Sequence, residues 1–490
     1  MYHQEALTLL RWLAYARSPP TLGELIDAAI TDPVEESFVD TSERGGLRDA
    51  LNILAGLVTI EEEQVADTEN HLTAGFATND TPTAGDDQGA KTLNNQHLTT
   101  TTRIRLAHFS VKEYLESERI FKSSAKQFYL ESATGHRALS QSCLTYMRYY
   151  TASPEKTLTH RDFETFPLLK YAAQSWFYHC ALQQGGETDR EVSFLQNEQA
   201  KDDWLLIHNP DAPWSHPFEV DKFQAKVPGS AMYHASLLGL SVAVRSLFGS
   251  GADVNAQGGR YGSALHAAAE KGHTEIAQLL VDKGADVNAQ GGRYGSALQA
   301  AAAGGHTEIA QLLVDKGTDV NAQGGRYGSA LQAAAAGGHT EIAQLLVDKG
   351  ADVNAQGGMY GSALQAAAAR GRTEMARLLV DRGADVDLTD CHGWTPSVTA
   401  VVNGHDEVAD LLTPCNKWTP TGLSRILSPA ALVHAVSRSG ITIQENSLAI
   451  TAGWSPTNIS LTSFLLIRRA QNMPHPVNLA RSPRSEQITP

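Results

Sequence analysis

Ala285-Asp286-Val287-Asn288-Ala289-Gln290-Gly291-Gly292-Arg293-Tyr294-Gly295-Ser296-Ala297-Leu298-Gln299-Ala300-Ala301-Ala302-Ala303-Gly304-Gly305-His306-Thr307-Glu308-Ile309-Ala310-Gln311-Leu312-Leu313-Val314-Asp315-Lys316-Gly317 is one unit of a repeat, and the next unit differs only by Thr318 in place of Ala285. Asn255, Asn288, Asn321, Asn354 and then Asp387 mark a 33-residue period that never slips. A fixed period of this size signals supersecondary units that stack. Within the unit, the Ser296 hydroxyl is placed to cap the free amides of a helix start. The alanines Ala300 to Ala303 combine high helix propensity with little bulk, so neighbouring backbones can approach closely. Gly304-Gly305 ends this inner helix. Thr307 is expected to cap a second helix whose Ile309, Leu312 and Leu313 fall at i, i+3 and i+4, one apolar stripe. Gly317 closes it in the manner of a left-handed cap. Neither helix buries its stripe alone, so stability is expected from nearest-neighbour interfaces in a quasi-linear solenoid.

Counting outward at the same period gives six units. The first, Ser230 to Gly251, is degenerate, with Met232, Tyr233, His234 and Phe248 where inner units carry smaller or aliphatic residues. It reads as a cap or docking unit. The last runs from Trp394-Thr395-Pro396 to Leu411-Leu412, with polar Asp406, Glu407 and Asp410 outside; terminal units of such arrays are expected to be atypical.

The unit resembles the ankyrin repeat in its period, both helices and the connecting turn. The resemblance implies a mainly α fold, an α-solenoid that binds proteins and carries out no catalysis. The inner units read Ser-Ala-Leu-Gln where the family has Thr-Pro-Leu-His. Gln299, Gln332 and Gln365 can both donate and accept, so the hydrogen-bonding role can be kept. Only His266 keeps the family residue, and the last unit restores Thr-Pro with Ser397 at the Leu position.

In the N-terminal half, Glu5 to Tyr15 has Leu9, Leu10 and Leu13 at helical spacing, and Pro19-Pro20 stops it. Thr21-Leu22-Gly23-Glu24-Leu25 reads as a capping box opening a second helix. Leu47 to Leu57 offers a third helix, and Leu57-Val58-Thr59-Ile60 a short strand. Residues 61–100 hold eight acids against one base and few large apolar side chains, the composition of a disordered insertion. Order is expected to resume at Thr102, with a strand running into a helix that ends at Leu115.

Leu106-Ala107-His108-Phe109-Ser110-Val111-Lys112-Glu113-Tyr114-Leu115 is similar to the segment closing the winged-helix module that follows the NACHT domain of fungal NLR-like STAND proteins. Cys143-Leu144-Thr145-Tyr146 and the stretch from Phe166 to Phe177 resemble the helical segment that comes next in that family. The resemblance implies a signal-transducing ATPase in which a nucleotide switch controls assembly and a repeat array senses a ligand. The nucleotide-binding half would lie upstream, and Met1 already falls at the winged helix. The expectation is therefore either a natural remnant that kept its control and sensor parts, or a reading frame that lost its start. No Walker motif occurs. The nearest string, Gly85-Asp86-Asp87-Gln88-Gly89-Ala90-Lys91-Thr92, has Ala90 where a phosphate loop needs Gly, and lacks the flanking strand and helix.

These readings divide the chain into residues 1–125, winged-helix-like with the insertion at about 61–100; 126–226, a helical linker region; 227–415, the six-unit array; and 416–490, an irregular tail with a sparse basic end.

Composition narrows the function. The 490 residues are 42% hydrophobic, enough for two to four domains. Four cysteines, at 143, 180, 391 and 415, are too few for a disulfide-built secreted scaffold and suit a reducing compartment. A net charge of −15 repels a phosphate backbone, so nucleic acid is disfavoured as a partner. There is no run of eighteen apolar residues, and Ala6 to Leu10 meets Arg11 with no basic region before it, so neither a membrane span nor a signal peptide is expected. The localisation read from this is cytoplasmic or nuclear.

Catalytic and metal chemistry finds little support. Cys391-His392 with His405 and Cys415 match no compact zinc spacing, and His405 holds the ordinary Gly-His place of the repeat. His179-Cys180 and Cys143 read as packing residues on helices. His108 reads as a structural histidine that hydrogen-bonds locally. No cofactor is expected.

The positive candidates lie at the turn before each inner helix. Arg260-Tyr261, Arg293-Tyr294, Arg326-Tyr327 and Met359-Tyr360 recur in register, and a solenoid lines such equivalents along one face. Arg and aromatics favour interfaces, because each gives a large contact area with a polar end. Two readings stay open: the tyrosines pack on adjacent turns beside solvated arginines, or the row touches a protein ligand. Replacing Arg293, Tyr294, Arg326 and Tyr327 together is expected to keep the helical signal and lower partner affinity. The function favoured is a non-enzymatic protein-interaction module of an NLR-like regulator. The alternatives are a piece of a NACHT-type NTPase and a winged-helix DNA-associated regulator.

Overall fold

The computed structural model describes residues 3–31, 39, 56–61, 100–183, 189–219 and 228–413. The fold is mainly helical, as expected, and the chain divides into two units, Met1–Arg260 and Tyr261–Pro490. The expected insertion and tail, the Gly85 to Thr92 string, Cys415 and nearly all of the helix expected from Leu47 to Leu57 lie outside the described residues.

In the first unit, helix α1 (His3–Tyr15) buries Leu9, Leu10 and Trp12, while Leu13 is only half-buried. Helix α2 (Leu22–Ala29) opens on a reciprocal capping box. Thr21 Oγ1 accepts from the Glu24 amide at 3.2 Å, and Glu24 Oε2 accepts from the Thr21 amide at 2.7 Å. Strand β1 (Val58–Glu61) pairs antiparallel with β2 (Arg103–Leu106), with Ile60 opposite the fully buried Ile104. The Pro20–Leu22 backbone adds to this hairpin, since Ile104 N donates to Pro20 O at 2.9 Å and Leu22 N to Thr102 O at 2.7 Å. Helix α3 (Phe109–Leu115) is capped by His108, whose Nδ1 accepts from the Ser110 amide at 3.2 Å, and α4 (Glu118–Phe121) follows.

Helices α5 (Ser132–Ala152) and α7 (Leu169–Leu182), with the single turn α6 (Asp162–Thr165) between them, form the long pair of this unit. Asp162 accepts from Tyr150 Oη at 2.7 Å and from the amides of Thr157 and Leu158 at 2.9–3.1 Å, which fixes the loop joining the pair. Helices α8 (Asp189–Gln196) and α9 (Glu198–Ile207) close over Trp176. Trp204 meets that ring edge-on at 5.4 Å and donates to Ala173 O at 2.9 Å. Helices α10 (Ala231–Leu237) and α11 (Ser241–Gly249) complete the unit with the degenerate first repeat.

The second unit is a row of helix pairs: α12 (Ala264–Lys271) with α13 (Thr274–Asp282), α14 (Ala297–Gly304) with α15 (Thr307–Asp315), α16 (Ala330–Gly337) with α17 (Thr340–Asp348), α18 (Ala363–Ala369) with α19 (Thr373–Asp381), and α20 (Pro396–Val402) with α21 (Asp406–Leu412). Each inner helix packs on the next inner helix through buried alanines such as Ala300, Ala301 and Ala302. Ser296 accepts from the Gln299 amide, and Gly305 ends α14 at φ +79°.

Two local expectations are corrected. Thr307 is the first residue of α15, not its cap; His306 holds the cap position without a side-chain bond to the helix. Its ring turns back to the preceding repeat, with Nε2 3.0 Å from Glu270 O. The buried stripe of α15 is Ile309, Ala310 and Leu313, while Leu312 stays half-exposed. Burying a side chain the size of Ile309 or Leu313 is worth about 1.5–3 kcal/mol.

The residue that marks the period joins the repeats at their exposed edge. Asn321 Oδ1 accepts from the Asp352 amide at 2.7 Å, and its Nδ2 donates to Gly350 O at 3.0 Å; Asn288 and Asn354 repeat the pattern one unit before and one after. Among the described residues no helix is long and apolar enough to cross a membrane.

Candidate protein-binding surface

The connection entering each inner helix folds as a short finger. Gly291, Gly324 and Gly357 donate to Gly295, Gly328 and Gly361 at 2.8–2.9 Å, so Gly-Gly-Arg-Tyr or Gly-Gly-Met-Tyr forms the tip. Buried glutamines hold the fingers from beneath. Gln299 Nε2 donates at 3.0 Å to both Ala322 O and Gly328 O, and Gln332 Nε2 does the same to Ala355 O and Gly361 O. Gln365 reaches Leu388 O at 3.2 Å and Trp394 O at 2.7 Å. In the repeat that keeps histidine, His266 lies beside the backbone of Gly295 and Ala289, the corresponding positions, so the glutamine takes the place of the family's imidazole. Gln332→Leu strands two half-buried carbonyls and is expected to cost about 1–3 kcal/mol, read as a lowered urea midpoint, whereas Gln332→His should retain most of the wild-type stability.

The fingertips are linked sideways. Arg326 N donates to Arg293 O at 2.9 Å and Met359 N to Arg326 O at 3.0 Å. Tyr261, Tyr294, Tyr327 and Tyr360 stack face to face behind them, with centroids 5.9, 5.9 and 6.2 Å apart and planes within 18° of parallel. Tyr261 and Tyr294 are buried, Tyr327 and Tyr360 half-buried. Tyr294 Oη donates to Glu270 Oε1 at 3.0 Å, and burial with that carboxylate pushes the phenol up, so it stays protonated. Tyr360 Oη accepts from Arg370 Nε at 2.8 Å.

The arginines differ from one another. In the first unit, Arg260 lies over the Trp214 ring at 4.7 Å, and its amide donates to Asp211, which also accepts from Tyr233 Oη at 2.6 Å. Tyr233 stands at the glutamine position of the repeat, so Asp211 carries its bond on to the finger. Asp211 and Trp214 have no periodic signal, and sequence reading missed both. In the second unit Arg293 is half-exposed over its own Tyr294, Arg326 is exposed with Nε 3.1 Å from Met359 Sδ, and Met359 is 49% exposed.

Elsewhere, of the groups considered for chemistry, Cys391 is an exposed thiol with Sγ 3.4 Å from His392 Nδ1, and His405 holds the cap position of α21. Cys143 and Cys180 are buried thiols pushed up by desolvation, Cys180 further by Glu191, so neither forms a thiolate readily. Among the described residues no group of three or more His, Cys, Asp or Glu side chains could hold a metal ion.

Stacked helix pairs, fingers and a period of 33 residues define an ankyrin-repeat array, and the comparison with protein families agrees. Residues 205–291, 231–324, 292–357 and 331–420 match the family described as Ankyrin repeats (3 copies). Among curated proteins, the chain is 33% identical over 275 residues to azaphilone pigments biosynthesis cluster protein L of Monascus ruber, covering 53% of this chain and 51% of that protein. The chain thus spans about half the length of the curated relative it matches.

Proposed function

We propose that the chain is a non-enzymatic docking protein whose ankyrin fingers hold a protein partner. The observation that carries this reading is the row of half-exposed Arg293 and exposed Arg326 and Met359 at the tips, fixed in spacing by a backbone ladder and a tyrosine stack. Of the eight finger residues, these three make the contact. Tyr261, Tyr294, Tyr327 and Tyr360 set the spacing, and Arg260 is braced on Trp214. Rigid side chains presented at fixed intervals bind with little loss of conformational freedom.

The N-terminal half serves in this reading as a control region similar to the winged-helix and helical modules of NLR-like proteins. The segments proposed are 1–125, 126–226, 227–415 and 416–490. Support comes from β2 leading through His108 into α3, the stretch whose sequence carries that resemblance. A role beside a pigment biosynthesis cluster, as the relative's name has it, needs no catalysis from this chain.

The test separates contact from folding. Because Tyr294 and Tyr327 belong to the stack, replacing them moves stability as well as binding. Arg293→Gln, Arg326→Gln and Met359→Ser change only exposed or half-exposed tips. With the full chain immobilised and extract of the encoding organism passed over it, the triple variant should retain the wild-type partner at least about tenfold less, with an unchanged circular dichroism spectrum. Equal retention by both removes the finger reading.

A further inference from the structure

The fingertip row has a chemistry and a spacing that together select one kind of occupant. Its charge is positive on a chain whose net charge is −15. Asp319 and Asp352 are held at the finger bases, accepting from the amides of Asn321 and Asn354 at 2.9 Å, while Glu270, bonded to Tyr294 Oη, offsets part of the charge of Arg293 and leaves Arg326 the less compensated of the two. Guanidinium groups in one row favour anionic oxygens, because charge-assisted hydrogen bonds are the stronger ones. The Nε of Arg326 points at Met359 Sδ, which leaves the two terminal nitrogens of that fork for a carboxylate.

Spacing narrows the choice further. The tyrosine centroids that fix the tips are 5.9 and 6.2 Å apart from Tyr294 to Tyr360. An extended peptide rises about 3.3 Å per residue and turns alternate side chains to the same side, so like-facing side chains recur every ~6.6 Å.

We infer that the row binds an extended acidic peptide segment, with carboxylates at positions i and i+2 on Arg293 and Arg326 and an apolar side chain at i+4 on Met359. This rests on the docking reading above and gives it a ligand class. A single-stranded nucleic acid fits less well. Its bases need free aromatic faces, and the faces of Tyr294 and Tyr327 are covered by their neighbours in the stack.

The experiment uses the full chain and fluorescein-labelled peptides in fluorescence polarisation. The probes are Glu-Ser-Glu-Ser-Leu flanked by glycines, a form with a third serine inserted between the glutamates, a form with lysine for glutamate, and an oligothymidylate. The alternating acidic peptide should bind best, weaken as salt is raised, and lose about tenfold or more with the Arg293→Gln/Arg326→Gln variant. Met359→Ser should weaken that peptide and leave unchanged the binding of a form ending in serine instead of leucine. Equal binding of the lysine or the respaced peptide, tighter binding of the oligothymidylate, or no binding of any peptide overturns the inference. If no peptide binds while the double variant still loses the partner retained from extract, the docking surface stands and the acidic strand falls. If that retention is also unchanged, both fall.

Discussion

Gly325→Ala is expected to destabilise the repeat unit by at least about 3 kcal/mol, while Gly317→Ala costs about 1–2 kcal/mol. Both glycines lie in the left-handed region, at φ +61° and +84°, so each substitution meets the same intrinsic penalty for an L side chain. The surroundings differ. A Cβ at Gly317 finds nothing within 4 Å. At Gly325 it overlaps the carbonyl of Tyr294, a backbone group with no rotamer to change. Relief requires the two fingers to separate, which breaks the 2.9 Å bond from Arg326 N to Arg293 O and opens the Tyr294–Tyr327 stack. Gly292 and Gly358 face the carbonyls of Tyr261 and Tyr327 in the same way, so the effect should recur at each finger. Urea melts of the two variants, followed by far-ultraviolet circular dichroism, give the comparison. A Gly325→Ala midpoint no lower than that of Gly317→Ala would show that the tips do not pack as described.

That contrast shows what the sequence made legible. The period, the serine cap of each inner helix and the glycine that ends it are local signals, and the folded repeats keep them. The Gly-Gly pair before each Arg-Tyr was equally visible, but its reason was not, because the atom it must avoid belongs to the preceding repeat. Thr307 misled for a related cause. A threonine before an apolar stripe is a sound cap by composition, yet His306 takes the position because its ring has a partner, Glu270 O, in the neighbouring unit.

The finger row was legible as a row but not as two layers. Equal spacing puts Arg and Tyr in register and cannot say which points out. The structure divides them, tyrosines inward as a stack and Arg326 with Met359 outward, so the packing reading holds for the tyrosines and the proposed ligand contact falls to the outward half. Trp214 and Asp211, which brace Arg260, come from a loop outside the period, where no repeat signal could mark them.

Acid should unfold the first unit well before its carboxylates are all protonated. His179 and His234 are both buried, and desolvation pushes them down to about 3, with nearby positive charge or a second imidazole adding to the effect. For His179 the hydrogen bonds give the same answer. The Arg17 amide donates to Tyr171 Oη at 2.9 Å, Tyr171 Oη lies 2.9 Å from His179 Nε2, and His179 Nδ1 lies 2.8 Å from His136 Nδ1. With the phenol donating to Nε2, the proton of His179 sits on Nδ1 and points at the bare Nδ1 of His136. A further proton, on His136 Nδ1 or on His179 Nε2, sets two donors against each other and breaks the chain. The sign follows from linkage: a histidine whose folded value lies below its unfolded 6.5 keeps its full contribution above pH 6.5 and loses it as pH falls toward the folded value. The loss is about 1.4 kcal/mol per pH unit for each histidine, so the two together remove about 5 kcal/mol between pH 6.5 and 4.5. His234 provides the control, because neither of its ring nitrogens has a hydrogen-bond partner among the described residues. His234→Leu should change stability at neutral pH by no more than about 1 kcal/mol and remove about half of the slope below pH 6.5. Urea midpoints measured from pH 7.5 to 4.5 decide it: an unchanged slope in the variant, or a wild-type midpoint that holds steady down to pH 4.5, would show that these imidazoles are not held neutral by the fold.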